Sequence, residues 1–153
     1  MLMTLTMAEP RLDLNLQFAV KKSARPKRAQ FRRWAKAALL VDAEVALRVV
    51  GESEGRELNC QFRDKNYATN VLTFVYGGVP LAGDIVICAP VVVREAAEQG
   101  ISLEAHYAHL TLHGMLHLQG YDHEIEADAA IMEAVESFIM LRMGYPDPYA
   151  EHS

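Results

Sequence analysis

Alternation of apolar and polar positions predicts the strands of this chain. Within residues 11–20, Leu12, Leu14, Leu16 and Phe18 alternate with the polar residues Asp13, Asn15 and Gln17. A period of two is that of a strand with one buried face. Residues 44–50, 71–76 and 84–88 are rich in β-branched side chains, which predicts three further strands.

A period of three to four residues predicts the helices. Pro26 is expected in the first turn of a helix. At 100° per residue, one face of this helix is apolar and consists of Phe31, Trp34 and Ala38. The opposite face is cationic and consists of Arg25, Arg28, Arg32 and Lys36. Further helices are predicted at 53–62 with Ser53 as N-cap, 90–99, 103–118 and 128–142. The chain is therefore expected to form a single α+β domain over residues 1–153, with helices packed on a small mixed sheet of about four strands.

The composition argues against a membrane-spanning protein, a secreted protein and a disulfide-stabilised scaffold. With 51% hydrophobic residues, the 153 residues are enough for one core. The longest apolar run, Ile85 to Val93, contains Pro90 and is far shorter than a membrane span. Residues 1–10 lack the basic start of a secretory signal. Cys60 and Cys88 are too few and too far apart for a disulfide scaffold and suit reduced thiols. We expect a soluble cytoplasmic protein with no membrane partner.

Charge is distributed unevenly along the chain. The net charge is −5, yet residues 21–36 carry eight basic residues and no acidic one. A charged run is usually a solvated face. Eight uncompensated positive charges exceed what solubility needs, which favours contact with the phosphates of RNA.

Five of the six histidines lie between His106 and His123. His113 and His117 are four residues apart, so on a helix they lie one turn, about 6 Å, above each other. Gly120 can take the left-handed conformation that ends a helix and returns the chain, which would bring His123 back as a third ligand. Three imidazoles favour zinc, and a fourth position left to water is typical of a catalytic site. The alternative is a set of partly buried histidines with local hydrogen bonds.

The same histidine spacing is found in metzincin peptidases, where a glutamate follows the first histidine as general base. Here Gly114 occupies that position. A peptidase would need a displaced base, for which Glu124 and Glu126 are the candidates. A second alternative is a ribosome assembly factor in which zinc only closes the fold and the basic helix binds RNA.

Three blocks of sequence are informative because of their order and spacing along the chain. They are ELNCQFRDKNYATNVLTF at 57–74, GDIVI at 83–87 and HLTLHGMLHLQGYDH at 109–123. Together they resemble the YbeY family, bacterial zinc-dependent endoribonucleases of ribosomal RNA maturation. The chain departs from the family pattern at four positions: Ala68 replaces a usual proline, Thr73 a usual serine, and Val75-Tyr76 a Phe-Pro step. These departures affect the turn and strand beside the expected cleft, whereas the three histidines are retained.

The resemblance implies one zinc per chain, bound by His113, His117 and His123, and places Arg63 at the active-site cleft. It implies a single-strand-specific endoribonuclease of ribosomal RNA maturation and ribosome quality control. Its partners would be RNA, small ribosomal subunit proteins and an Era-type GTPase. Zinc-bound water or hydroxide would attack the phosphodiester, while the Arg63 guanidinium stabilises the developing charge. Arg63 could instead be an exposed arginine favoured by the dipole of a helix end.

Several roles stay open at this point. His109 lies one turn before His113 and could support it or line a pocket. Asp122 could orient an imidazole or only form a turn, and Asp84 could begin a strand or line the cleft. The nucleophile is either water or the 2′-hydroxyl of the RNA.

Overall fold

A four-stranded mixed sheet and five α-helices make up the part of the chain that the computed structural model describes, residues 9–122 and 125–150. The strands are β1 (Leu12–Phe18), β2 (Ala43–Val50), β3 (Val71–Gly77) and β4 (Leu81–Cys88). The helices are α1 (Arg28–Ala37), α2 (Glu52–Arg63), α3 (Ala89–Gln99), α4 (Leu103–Leu118) and α5 (Glu126–Arg142). The predicted α+β class and the four-stranded mixed sheet are confirmed.

The strand order is β1-β2-β4-β3. β1 and β4 both run parallel to β2, with Leu14 opposite Val45 and Leu47 opposite Ile85. β3 runs antiparallel to β4 and forms an edge of the sheet, with Thr73 opposite Ile85. Parallel neighbours need a crossover connection, which α1 provides between β1 and β2.

The sheet buries apolar side chains on both faces. Because side chains alternate along a strand, Ile85 and Val86 of β4 point to opposite sides. Ile85 belongs to the larger core with residues of α1 and α4, whereas Val86 packs with Leu72 and with Leu58 of α2. Helix α4 therefore lies on one face of the sheet and α2 on the other.

Several predicted boundaries were wrong by a few residues. Helix α1 begins at Arg28, so Pro26 precedes the helix rather than lying in its first turn; a short 3-10 turn, Lys22–Ala24, comes before it. The N-cap of α2 is Gly51, and Ser53 already lies in the first turn. Strand β4 begins at Leu81 because its pairing with β2 starts there, opposite Ala43. Helix α5 begins at Glu126.

Helix α4 is the most buried helix and packs closely on the sheet. A Cβ atom built on Gly114 would lie 3.1 Å from both Cδ1 and Cγ2 of Ile85, so the glycine allows the helix axis to approach β4. This close approach explains why no carboxylate follows His113. None of the helices in residues 9–122 and 125–150 has the length and apolar character needed to cross a membrane.

Candidate metal centre

The two ends of α4 are set by local sequence. At its start the Ser102 side chain accepts a hydrogen bond from Ala105 N at 3.1 Å. At its end Gly120 has φ 103, as predicted, and two backbone hydrogen bonds close the helix: Gly120 N to His117 O and Tyr121 N to Leu116 O, both at 3.1 Å. This pattern is a Schellman motif. The chain leaving the helix is thereby turned back toward the His117 side.

His113 and His117 lie on one face of α4, as their spacing predicted. Their rings are parallel, with an interplanar angle of 3° and 6.5 Å between centroids. Both side chains are partly buried. Two imidazoles are therefore presented together, one helical turn apart.

Each of these two rings is oriented through its Nδ1 atom. His117 Nδ1 donates to the carbonyl oxygen of Tyr121 at 3.1 Å, and His113 Nδ1 lies 2.9 Å from the Glu136 carboxylate. Both acceptors require the proton on Nδ1. In the neutral ring the lone pair is then on Nε2, which is the form a metal binds.

Glu136 comes from α5 and is fully buried, with 0% exposure. One carboxylate oxygen accepts from His113, and the other contacts His109 Nε2 and accepts from the Tyr149 hydroxyl at 2.7 Å. A buried carboxylate requires partners of this kind. His109 therefore supports the carboxylate that orients His113, which is one of the two roles considered for it.

Neighbouring side chains keep the carboxyl group of Glu136 ionised. Burial raises the pKa of this carboxyl, but the hydrogen bonds from His109 and His113, together with the charges of these rings when they are protonated, outweigh it and bring the pKa to about 2. The carboxylate is thus ionised at neutral pH. Burial, followed by the hydrogen bond to Glu136, raises the pKa of Tyr149, so its hydroxyl remains a donor.

Glu136 was missed in the sequence, although a signal was present. On α5 it lies four residues after Met132 and four before Met140, and all three side chains are buried. A glutamate in the middle of an apolar helical stripe is rarely buried without a partner. Such a position indicates a buried polar partner on a neighbouring element.

The predicted third ligand, His123, lies outside the described residues. Within residues 9–122 and 125–150 no group of three or more His, Cys, Asp or Glu side chains is arranged to hold a metal ion. The structure thus brings His113 and His117 together. The role of His123 as the third ligand stays a prediction.

Arg63 is the last residue of α2 and is exposed. Its helix packs on the sheet face opposite α4, and the neighbouring Phe62 ring lies against Phe74 of the edge strand β3, at 5.1 Å between centroids. The positive charge of Arg63 in the last turn of α2 interacts favourably with the helix dipole. The catalytic role of Arg63 stays a prediction.

A cavity of about 690 Å³ adjoins the histidines. Its walls include His109 and His113, apolar side chains of β3, α4 and α5, and the segment Pro146–Tyr149. This volume is in the range of small-molecule sites, ~300–1,000 Å³. The cavity could therefore hold part of a substrate beside His113.

The Asp84 carboxylate is hydrogen-bonded to a side chain of the neighbouring strand β3. It accepts a hydrogen bond from the Tyr76 hydroxyl at 2.5 Å, which raises the pKa of Tyr76. Because Ile85 faces α4, Asp84 points to the opposite face of the sheet. Asp84 thus lies within β4, which begins at Leu81, and not at the start of the strand as we considered.

The cationic side of α1 is exposed at Arg32 and Lys36. Arg25 and Arg28 instead lie over the Phe18 ring, at 3.5 and 4.7 Å from its centroid, and Arg28 also donates to Leu16 O at 3.3 Å. These contacts fix the helix to β1. Apart from Arg25, which is half-buried, the basic residues of the run are nevertheless exposed and available to a partner.

Comparison with known proteins identifies the family. A family model described as Endoribonuclease YbeY matches residues 15–144, which is most of the chain. The chain belongs to this family. Members of the YbeY family are endoribonucleases, and hence hydrolases.

Individual relatives agree with this membership. The chain is 60% identical over 142 residues to Endoribonuclease YbeY of Methylobacillus flagellatus, covering 92% of this chain and 95% of that one. It is 57% identical to the protein of the same name from Nitrosomonas europaea, covering 92% and 87%. Among solved structures, the solution structure of TM1509 from Thermotoga maritima is similar with a TM-score of 0.54 at 26% identity, covering 90% of this chain and 99% of that one.

Proposed function

We propose that this chain is a zinc-dependent endoribonuclease that cleaves single-stranded RNA during ribosomal RNA maturation and ribosome quality control. One zinc ion would be held by His113, His117 and His123. The observation that carries the proposal is the pair of Nδ1 hydrogen bonds, to Glu136 and to Tyr121 O, which give both described histidines the tautomer that a metal binds. Their nitrogen donors suit zinc.

The roles of the residues follow from their chemistry. When bound, zinc lowers the pKa of a water ligand and polarises a phosphate oxygen. Glu136 and the Tyr121 carbonyl keep the rings of His113 and His117 oriented. Arg63 would neutralise charge on the nonbridging phosphate oxygens through its two forked N–H groups.

The substrate is proposed to be RNA because two features suit it. The cavity beside His113 can take a nucleotide, and exposed basic residues of α1 can attract phosphates. We place the protein in the cytoplasm, where Cys60 and Cys88 would remain free thiols. Small ribosomal subunit proteins and an Era-type GTPase are its proposed partners.

The proposal is tested by metal analysis together with cleavage assays on the full chain. We expect one zinc per chain, cleavage of single-stranded ribosomal RNA and much slower cleavage of duplex RNA. His113→Ala, His117→Ala and His123→Ala should each lose metal and cleavage while remaining folded, whereas His152→Ala should retain both.

Three outcomes would contradict the proposal. Full metal content in one of the three variants would remove that residue from the ligand set. Loss of the fold on metal removal, without RNA cleavage by the intact protein, would indicate a zinc-stabilised assembly factor. Hydrolysis of protein substrates without RNA cleavage would indicate a peptidase, which Gly114 disfavours because a side chain there would meet Ile85.

A further inference from the structure

Helix α5 is apolar on two opposite faces. One face is buried and contains Met132, Glu136 and Met140. On the opposite face Ile131, Phe138 and Leu141 are 57%, 63% and 57% exposed. A surface helix usually exposes a polar face, so a second apolar face indicates a second packing surface.

The exposed apolar residues form a continuous strip. At 100° per residue they fall within about 100° of arc, and no charged residue interrupts them. We call this strip the α5 stripe: Ala127, Ala130, Ile131, Ala134, Phe138 and Leu141, all of them exposed. Contiguous exposed apolar surface of this kind marks an interaction site.

The charges beside the α5 stripe differ between its two ends. Glu126 and Asp128 lie at the start of the helix and Arg142 at its end. Arg142 also borders a groove of about 470 Å³ between α1 and α5, together with Arg33 and Phe138. An acidic end and a basic end on one strip are complementary to the same strip running in the opposite direction.

A second copy of this chain provides that strip. If two α5 helices pack antiparallel with Ala134 of each at the centre, Arg142 of one copy lies beside Asp128 of the other. The same arrangement packs Phe138 against Ile131 of the second copy, and the small Ala134 allows the helices to approach closely. A parallel arrangement would place acidic ends together, and like charges oppose it.

We propose that the α5 stripe is the two-fold interface of a homodimer in which the α5 helices pack antiparallel across Ala134. Such an interface is isologous, because the same surface is used by both copies. A 17-residue helix is about 25 Å long. The contact between two such helices is small, so we expect a reversible dimer rather than an obligate one.

Sedimentation equilibrium of the full chain between low and high micromolar concentrations tests this interface. We expect a reversible monomer–dimer equilibrium that Leu141→Glu weakens at least tenfold. Leu40→Glu is the matched control, because Leu40 is 56% exposed and lies outside α5; it should leave the equilibrium unchanged. A protein that stays monomeric throughout, or a dimer unaffected by Leu141→Glu, overturns the proposal.

Direction of packing is tested by charge reversal and cross-linking. Asp128→Arg and Arg142→Asp should each weaken the dimer, and the double variant should restore it; failure of restoration excludes the antiparallel arrangement. Ala134→Cys in a Cys60→Ser background should form a disulfide-linked dimer under mild oxidation. Absence of that cross-link in a sample shown to be dimeric would also overturn the arrangement.

Discussion

The carboxylate of Glu136 on α5 accepts a hydrogen bond from Nδ1 of His113 on α4, at 2.9 Å. The orientation of this proposed ligand is thus set by a helix that begins after the last of the three histidines. His109 and Tyr149 bind the other oxygen of the same carboxylate, so the ring of His113 is positioned by a network rather than by one contact.

Replacing Glu136 by Gln should weaken zinc binding about 10- to 100-fold, because the amide keeps the volume but loses the charge that orients His113. Titration against a chelator of known zinc affinity measures the change. Glu133→Gln, at an exposed position on the same helix, is the control and should bind zinc as the unaltered protein does. Equal affinity in both variants would show that Glu136 only fills the core.

Replacing Arg63 by Ala should lower the rate of RNA cleavage by about one to three orders of magnitude, as expected for loss of a transition-state donor. Metal content and folding should not change, because Arg63 is exposed at the end of α2 and is not among the proposed zinc ligands. Arg63→Lys should not restore the rate, since an ammonium lacks the guanidinium fork. The control is Arg56→Ala on the same helix; if Arg63→Ala cleaves as fast as this control, Arg63 has no catalytic role.

The exposed cationic side of α1 should make RNA affinity sensitive to salt. Changing Arg28, Arg32 and Lys36 to Gln should flatten the slope of log affinity against log salt by up to about two units, given ~0.7 per single-strand phosphate contact. Most of this change should come from Arg32 and Lys36, because Arg28 is already held by Phe18 and Leu16 O. Filter binding at several salt concentrations measures the slope, and an unchanged slope would mean that α1 is only a solvated face.

Gly114→Ala should destabilise the fold by about 1–2 kcal/mol, because crowding against Ile85 outweighs the higher helix propensity of alanine. Urea unfolding measures the difference. Ile85→Val in the same chain should recover part of the loss by removing Cδ1, one of the two Ile85 methyl groups that lie 3.1 Å from the new Cβ. Strict additivity of the two changes would show that these positions do not touch.

Features encoded by local spacing were predictable from the sequence. The period of two in β1, the helical spacing of His113 and His117, and the left-handed Gly120 each depend on residues close together in the chain. Periodicity also identified the apolar face of α1. These rules need no knowledge of which elements later pack together.

The orientation of the proposed ligands could not be predicted in this way. The contact between His113 and Glu136 joins two helices across 23 positions of sequence, and only packing of α5 on α4 creates it. Likewise, the sequence does not show that α2, with Arg63, packs on the face of the sheet opposite α4. The absence of a glutamate after His113 was visible, but its reason, contact with Ile85, appears only in the fold.

The hydrogen bond from Tyr149 to Glu136 has a consequence for the newly made chain. Synthesis proceeds from the N-terminus, so α4 leaves the ribosome before α5, and α5 before Tyr149. A nascent chain that has exposed only α4 has His113 without the carboxylate that orients it. The network that positions His113 therefore cannot be complete while residues 136–149 are still inside the exit tunnel.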